Sequence, residues 1–537
     1  MSIPVREIPQ ATQDELRGMV DAAVWGRLSE AVRDRILRAM NGLRFVHFHL
    51  DEFVTLFNPS IVGDPSRFAD LTEREQNDVL DIATLRPGLG DMLRLRDVVD
   101  YIGAHNPDGA VRDAMMTYVT WPARPPSIAV VAARLRLQRW RAEQHGLRLT
   151  ALGDVLRTPA FAQRSAEEQR KIIEVLHRTR PFGALLFHDL LRPATTRWAP
   201  GTVASGTLPL FSESLLERIT LLEALHRLAT ATLHADISVA PLPADAFLRE
   251  PFYPPALAQE ADLMRVVGNV VAEVARPDQY FNQSNRGTCF STSLLHRLGR
   301  VRPAEYARIA HELITTTRAQ LQNGEPVTVP PDARPADNST RSVSERVTQA
   351  MLSEYWIAGE LRDRYRGPHY HNTSPQAHAD HTNPTGEATD HWDGSFSTWP
   401  ARLARTAEAL LGQRFNRVRG HPIATLRAHF AAHPDVPIFA GVTWGDDGHE
   451  VDVLSVDAPD VPHGRVHYWN PWGALLLITI QGCPIRVESG TVETQGRDIA
   501  ASREGPARRT DDDSRALQSM TIQQFSRIFV DLLVPAQ

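Results

Sequence analysis

The sequence predicts an α+β protein: a mostly α-helical N-terminal region, then a half in which helices give way to antiparallel strands. Two observations carry this. Up to about residue 240 apolar residues step by threes and fours between turn signals. Beyond about residue 435 short runs alternate apolar and polar around Gly- and Asp-rich turns. With 537 residues and 59.9 kDa, the chain is long enough for two to four domains at roughly 150 residues each.

The elements follow in order. Leu16, Val20, Val24, Val32, Ile36 and Met40 lie on one helical face, so the spacing predicts a single amphipathic helix over 16–40. Further helices are expected at 128–145, after the Pro122–Pro126 break, at 165–178 behind a Ser165-x-x-Glu168 capping box, and at 214–234 behind Ser214-x-x-Glu217. Turn chemistry such as Asn106-Pro107-Asp108-Gly109 separates helices, and no fixed-period repeat marks a solenoid. Pro-rich stretches near 193–209 and 241–255 read as a boundary. Two more helices are expected at 302–322 and 342–362, the second behind Ser342-x-x-Glu345, with a polar loop over 323–340 between them. A histidine-rich segment at 369–393 leads to runs at 436–444, 449–456 and 465–469, which read as an antiparallel meander. The polar run 487–514 reads as mobile, ahead of a final helix at 520–533. The expected domains are an α-helical one over 1–192, a helical and Pro-rich connecting region over 193–255, and a mixed one over 256–537.

Composition narrows the function. The 58 basic and 64 acidic side chains leave a net charge of −6 and a pI of about 6.4, which disfavours nucleic acid as the main ligand. Two cysteines exclude a disulfide framework and a four-cysteine zinc module. Met1-Ser-Ile-Pro-Val-Arg-Glu has neither the basic nor the apolar part of a signal peptide, and no window is apolar enough to span a membrane. The expected location is the cytoplasm, or outside the cell by a dedicated export system that needs no cleaved signal peptide.

One constellation carries chemistry. In Phe281-Asn282-Gln283-Ser284-Asn285-Arg286-Gly287-Thr288-Cys289-Phe290 a cysteine follows a glycine turn where a helix is expected to begin. The thiolate is the nucleophile in acyl transfer, and a helix N-terminus favours the anion, so a lowered thiol pKa is expected at Cys289. The Cys289 N–H and the Gln283 side-chain amide can donate to a developing oxyanion. His449, after Gly448 at the start of an alternating strand, can take the thiol proton. Asn470, in Asn470-Pro471-Trp472-Gly473 on the next strand, can accept the His449 ring N–H, and Trp472 can shield that bond. Alternation places Glu450 on the strand face away from His449.

In order and approximate spacing, Gln283, Gly287-Thr288-Cys289-Phe290, Gly448-His449 and Asn470-Pro471-Trp472-Gly473 resemble the Gln, Cys, His and Asn motifs of papain-like cysteine proteases. The Asn-Pro-Trp-Gly form is similar to that of the calpains. So is the tail, where Met520-Thr521-Ile522-Gln523-Gln524-Phe525-Ser526-Arg527-Ile528-Phe529 follows an acidic stretch. The likeness covers about 275–535. It implies a papain-like two-lobed catalytic domain, a helical lobe and an antiparallel β lobe, behind the helical N-terminal region. Cys289 would be the nucleophile, His449 the general base and acid, Asn470 the orienting residue and Gln283 an oxyanion donor. Three positions depart from the family: Phe290 stands where Trp is usual, Ser284 where Gly is usual, and Glu450 where a small residue is expected.

The resulting expectation is a cysteine endopeptidase acting on a protein or peptide substrate, its helical region serving regulation, substrate recognition or a regulatory partner. The alternatives are a glutamine deamidase or transglutaminase-like modifier, and an inactive papain-like scaffold. No cofactor and no metal are expected. Calcium dependence does not carry over, because the family's calcium-ligating loops find no residue-by-residue match. His369, His371, His378, His381 and His391 lack helical spacing and cysteine companions, so they read as a polar loop or flap. Cys483 reads as a buried small hydrophobe, and His47 and His49 as part of a short packed element.

Overall fold

The computed structural model describes residues 8–43, 47–60, 63–84, 89–120, 149–179, 181–193, 208–240, 246–251, 253, 255–283, 288–336, 341–357, 399–433, 436–444, 447–459, 464–471, 477–480, 483–488, 491–494, 497–499 and 517–536. The chain is mixed α and β, and every named strand pair is antiparallel. It divides into two units that interleave along the sequence: Met1–Arg192 with Pro241–Gly268, and Pro193–Ala240 with Asn269–Gln537.

The first unit is helical. Local capping breaks the single helix expected over 16–40 into Gln10–Gly18, Ala22–Arg27 and Glu30–Leu43. The Asp21 carboxylate accepts from the Ala23 and Val24 N–H groups and starts a new helix there. An Asp that bonds its own backbone competes with helix propagation, and the apolar period continues across the break because all three pieces face one core. Ser165 and Glu168 form the expected reciprocal capping box on Ala166–His177. A second box, Thr72 with Glu75, opens Glu73–Ala83, and Arg112 clasps the same Glu75 with its Nη2 at 2.6 Å. His47 opens the helix His47–Val54. The helix expected at 128–145 lies outside the described residues.

In the second unit Ser214-x-x-Glu217 is not the cap. The helix is Leu221–Thr230, and Thr220 caps it by accepting from the Glu223 N–H. Ser214 closes a turn with Ile219, and Glu217 pairs with Arg227 at 2.6 Å. The same pattern occurs twice, six residues apart, and the helix starts at the second. Pro303–Thr316 ends where Thr317 adopts a left-handed conformation, φ 60°. The chain then forms a hairpin: β1 (Arg318–Gln320) replaces the end of the helix expected over 302–322, and β2 (Pro326–Thr328) lies in the stretch expected to be loop. Ser342 and Glu345 cap Val343–Ile357 reciprocally, at 2.8 and 3.0 Å.

The main sheet has six strands: β3 (Phe415–Val418), β4 (Ile438–Trp444), β5 (Asp447–Val456), β6 (Arg465–Trp469), β11 (Leu517–Thr521) and β12 (Phe529–Pro535), in the order β11-β6-β5-β4-β12-β3. The central three are the expected meander. The final helix, expected over 520–533, is only Ile522–Ile528. Met520 and Thr521 end β11, and from Phe529 the chain is β12, which pairs with β4 and β3 far back in the sequence, a contact local periodicity does not report. Strands β7 (Leu477–Ile480), β8 (Cys483–Glu488), β9 (Thr491–Thr494) and β10 (Arg497–Ile499) form a separate four-stranded sheet, so the run expected to be mobile begins as strand, while 500–516 lie outside the described residues.

The two faces of the six-stranded sheet differ. Ile438, Ala440, Val442, Val451, Val453, Val466 and Tyr468 pack with Leu426, Met520 and Phe525 into an apolar core. The opposite face, carrying Phe439, Glu450, Asp452 and Trp469, meets the helix Cys289–Val301 through Asp452 to His296 and through Arg297 stacked over Phe439.

Candidate active site

Cys289 is the first residue of its helix, and Thr288 before it makes no side-chain cap. A helix end without a cap leaves its first N–H groups in need of acceptors. The Cys289 sulfur lies among such groups: the backbone N–H groups of Glu450 on β5, of Phe290 and of Cys289 itself all favour its anion. Thus a residue 161 positions downstream reaches the thiol through its backbone.

His449 precedes Glu450. Its Nε2 lies 3.1 Å from Asn470 Oδ1. An amide oxygen only accepts, so Nε2 carries the hydrogen and Nδ1 is the nitrogen that can take a proton. Adjacent strands β5 and β6 create this pairing, with Asp452 opposite Trp469. Pro471, next to Asn470, accepts from the Gln283 backbone N–H at 2.6 Å. The four candidate residues therefore lie on neighbouring segments: Cys289 beside the Glu450 backbone of β5, His449 bonded to Asn470, and the Asn470-Pro471 turn bonded to the Gln283 N–H. All four are buried, from 8% exposed at Cys289 to 0% at Asn470. Trp472, Gly473, Ser284 and Gly287 lie outside the described residues, as do the side chain of Cys483 and the segment 369–393.

The electrostatics differ from expectation at the thiol. Burial pushes the Cys289 thiol up to about 12, and the nearby Glu450 carboxyl adds to the rise, against the backbone donors. The helix N-terminus was expected to lower it, but desolvation of the anion outweighs three N–H groups. Cys289 is a neutral thiol in this conformation. Glu450 is buried too, on the face away from His449 as alternation requires, and this is the face that meets the Cys289 helix. Burial pushes its carboxyl well up, reinforced by Asp531 and Asp452. The two nearest carboxyls converge over Gly441: a Cβ there would lie 2.7 Å from Asp531 Oδ1 and 3.7 Å from Glu450 Oε2.

Residues that motif reading missed hold the segment leading to the nucleophile. Gln349 donates to the Asn282 carbonyl at 2.8 Å and accepts from the Thr288 hydroxyl at 2.8 Å, gripping both ends of 282–288. Glu345, read in the sequence only as a cap, also accepts from the Asn282 N–H. The available signal was the pair of polar residues, Glu345 and Gln349, spaced i, i+4 on one helix.

Among the described residues no group of three or more His, Cys, Asp or Glu is arranged to hold a metal ion, and no helix is long and apolar enough to cross a membrane. Comparison with protein-family models, with curated proteins and with solved structures finds no match.

Proposed function

We propose that residues 256–537 form a papain-like, two-lobed cysteine endopeptidase of calpain-like character, acting on a protein or peptide substrate. The observation that carries this reading is the hydrogen bond from His449 Nε2 to Asn470 Oδ1, set one residue from Glu450, whose backbone N–H favours the Cys289 thiolate. It supplies a nucleophile, a base of defined tautomer and an orienting amide in one place.

The neutral thiol makes His449 a general base in the attack itself. The Cys289 proton passes to His449 Nδ1 while sulfur bonds the peptide carbonyl carbon. The oxyanion is held by the Cys289 N–H and the Gln283 amide. The carbon–nitrogen bond then breaks as His449 returns the proton to the leaving amine. Water, deprotonated by the same ring, hydrolyses the thioester and frees Cys289. The N-terminal helical region serves substrate recognition or regulation in this scheme, through a partner or on its own. The protein works in the cytoplasm, or outside the cell after dedicated export.

The test is mass spectrometry of a proteome-derived peptide library incubated with wild-type protein and with Cys289→Ala. New peptide termini made only by wild type are the expected result. Conversion of glutamine to glutamate, or amine adducts on glutamine, would move the assignment to deamidation or transamidation, and identical spectra for the two proteins would leave an inactive scaffold.

A further inference from the structure

His296 lies seven residues after Cys289, two turns along the same side of the helix. Its ring is wholly buried, with Nδ1 2.6 Å from Asp452 Oδ2 and Nε2 2.8 Å from Asp278 Oδ1. It stacks on Trp469, with ring centres 3.9 Å apart and planes 2° from parallel. The Trp469 indole N–H donates to the Asp278 carbonyl at 3.1 Å, and Arg300 Nη1 lies 3.3 Å from Asp278 Oδ1. Phe281 meets the ring edge-on. The remaining charged neighbours are Arg297, whose Nη1 donates to the Pro437 carbonyl, and Glu450, whose carboxyl Asp452 helps to push up.

Carboxylates accept hydrogen bonds, so a ring nitrogen on each side calls for a proton on each nitrogen. Burial opposes that positive charge, but the two carboxylates outweigh it and hold the His296 pKa above its ordinary value. Burial would raise Asp278, yet Arg300 and His296 bring it down to about 2. Every partner sits beside a residue of the candidate site. Asp452 is three residues after His449, Trp469 immediately precedes Asn470, and Asp278 is five residues before Gln283. A buried charge is a poor way to gain stability alone, since apolar packing of equal volume serves as well.

We propose that His296 is a positioning residue: as a buried imidazolium between Asp278 and Asp452, stacked on Trp469, it locks the Cys289 helix, the His449 and Asn470 strands and the Gln283 segment into one geometry. The inference rests on the peptidase reading for its consequence, and its test is separable from it.

In the full chain with isotope-labelled histidines, the His296 ring is expected to stay doubly protonated at a pH where ordinary histidines have lost their proton. A neutral ring there overturns the proposal. Asp452→Asn is expected to discharge His296 and shift the His449 Nε2 resonance, with kcat reduced about tenfold and KM unchanged, because orientation acts on the transition state. Val453→Ala, on the far face of the same strand, is expected to lower the melting temperature while leaving kcat and the His449 resonance in place. A folded Asp452→Asn protein with an unmoved His449 resonance overturns the proposal. If Asp452→Asn does not fold, Arg300→Gln at the rim of the cluster carries the same test, with a loss of about threefold expected. If wild type cleaves nothing, the peptidase reading fails, while the His296 charge and the His449 resonance still decide whether this cluster positions the histidine.

Discussion

The two faces of strand β5 obey opposite rules. On one, Val451 and Val453 join Val442, Val466 and the Tyr468 ring in an apolar core. On the other, Glu450 and Asp452 are 3% and 0% exposed, and each has one carboxyl oxygen without a partner among the described residues. The first face gains from every methyl it removes from water. The second pays for desolvating charge and recovers part of that cost through His296 and Arg297. The contrast teaches that one strand can hold an apolar core on one side and buried, only partly compensated carboxyls on the other.

Substitutions that separate the two faces can break this comparison. The largest effect is expected for Cys289→Ala, which should abolish turnover while thermal unfolding stays near wild type. A large fall in melting temperature would mean that the thiol is a core residue. His449→Ala is expected to reduce kcat/KM by about 10³, and Asn470→Ala by about tenfold to a hundredfold, because proton transfer contributes more than orientation. Equal losses in steady-state assays would remove the orienting role from Asn470.

The pH dependence of the thiol sharpens the polar side. Alkylation of Cys289 by iodoacetamide should rise with pH and remain incomplete at about pH 10, since its pKa is pushed up to about 12. A plateau below neutral pH would show a preformed thiolate. On the apolar side, Val453→Ala should cost about 2 kcal/mol in urea unfolding with kcat unchanged.

The smallest effect is expected for Glu450→Gln. Its folded pKa lies above the unfolded value of 4.5. The folded protein therefore binds the proton more tightly, and the stability linked to it is complete below that value and is lost as pH rises toward the folded pKa. Glu450→Gln should leave stability at about pH 4 nearly unchanged and raise it by about 1 kcal/mol at about pH 8. No difference between the two pH values in urea unfolding would place the Glu450 carboxyl in contact with water or with a cation.

Local signals determined much of what lies along the chain. Ser165-x-x-Glu168 and Ser342-x-x-Glu345 cap helices, and the alternating runs before and after Gly445–Gly448 are strands, because a cap or an alternation is complete within a few residues. The residue types at Gln283, Cys289, His449 and Asn470 could be read as chemistry from the sequence, since their order and setting are written there. Only the tertiary structure decided how they meet and what they feel. The pairing of Phe529–Pro535 with β4 and the approach of the Glu450 N–H to the Cys289 sulfur both depend on which distant surface each segment covers. The thiol pKa shows the physical reason. A helix N-terminus is local and can be inferred from neighbours, but desolvation is a sum over everything packed around the atom, and here that sum is larger.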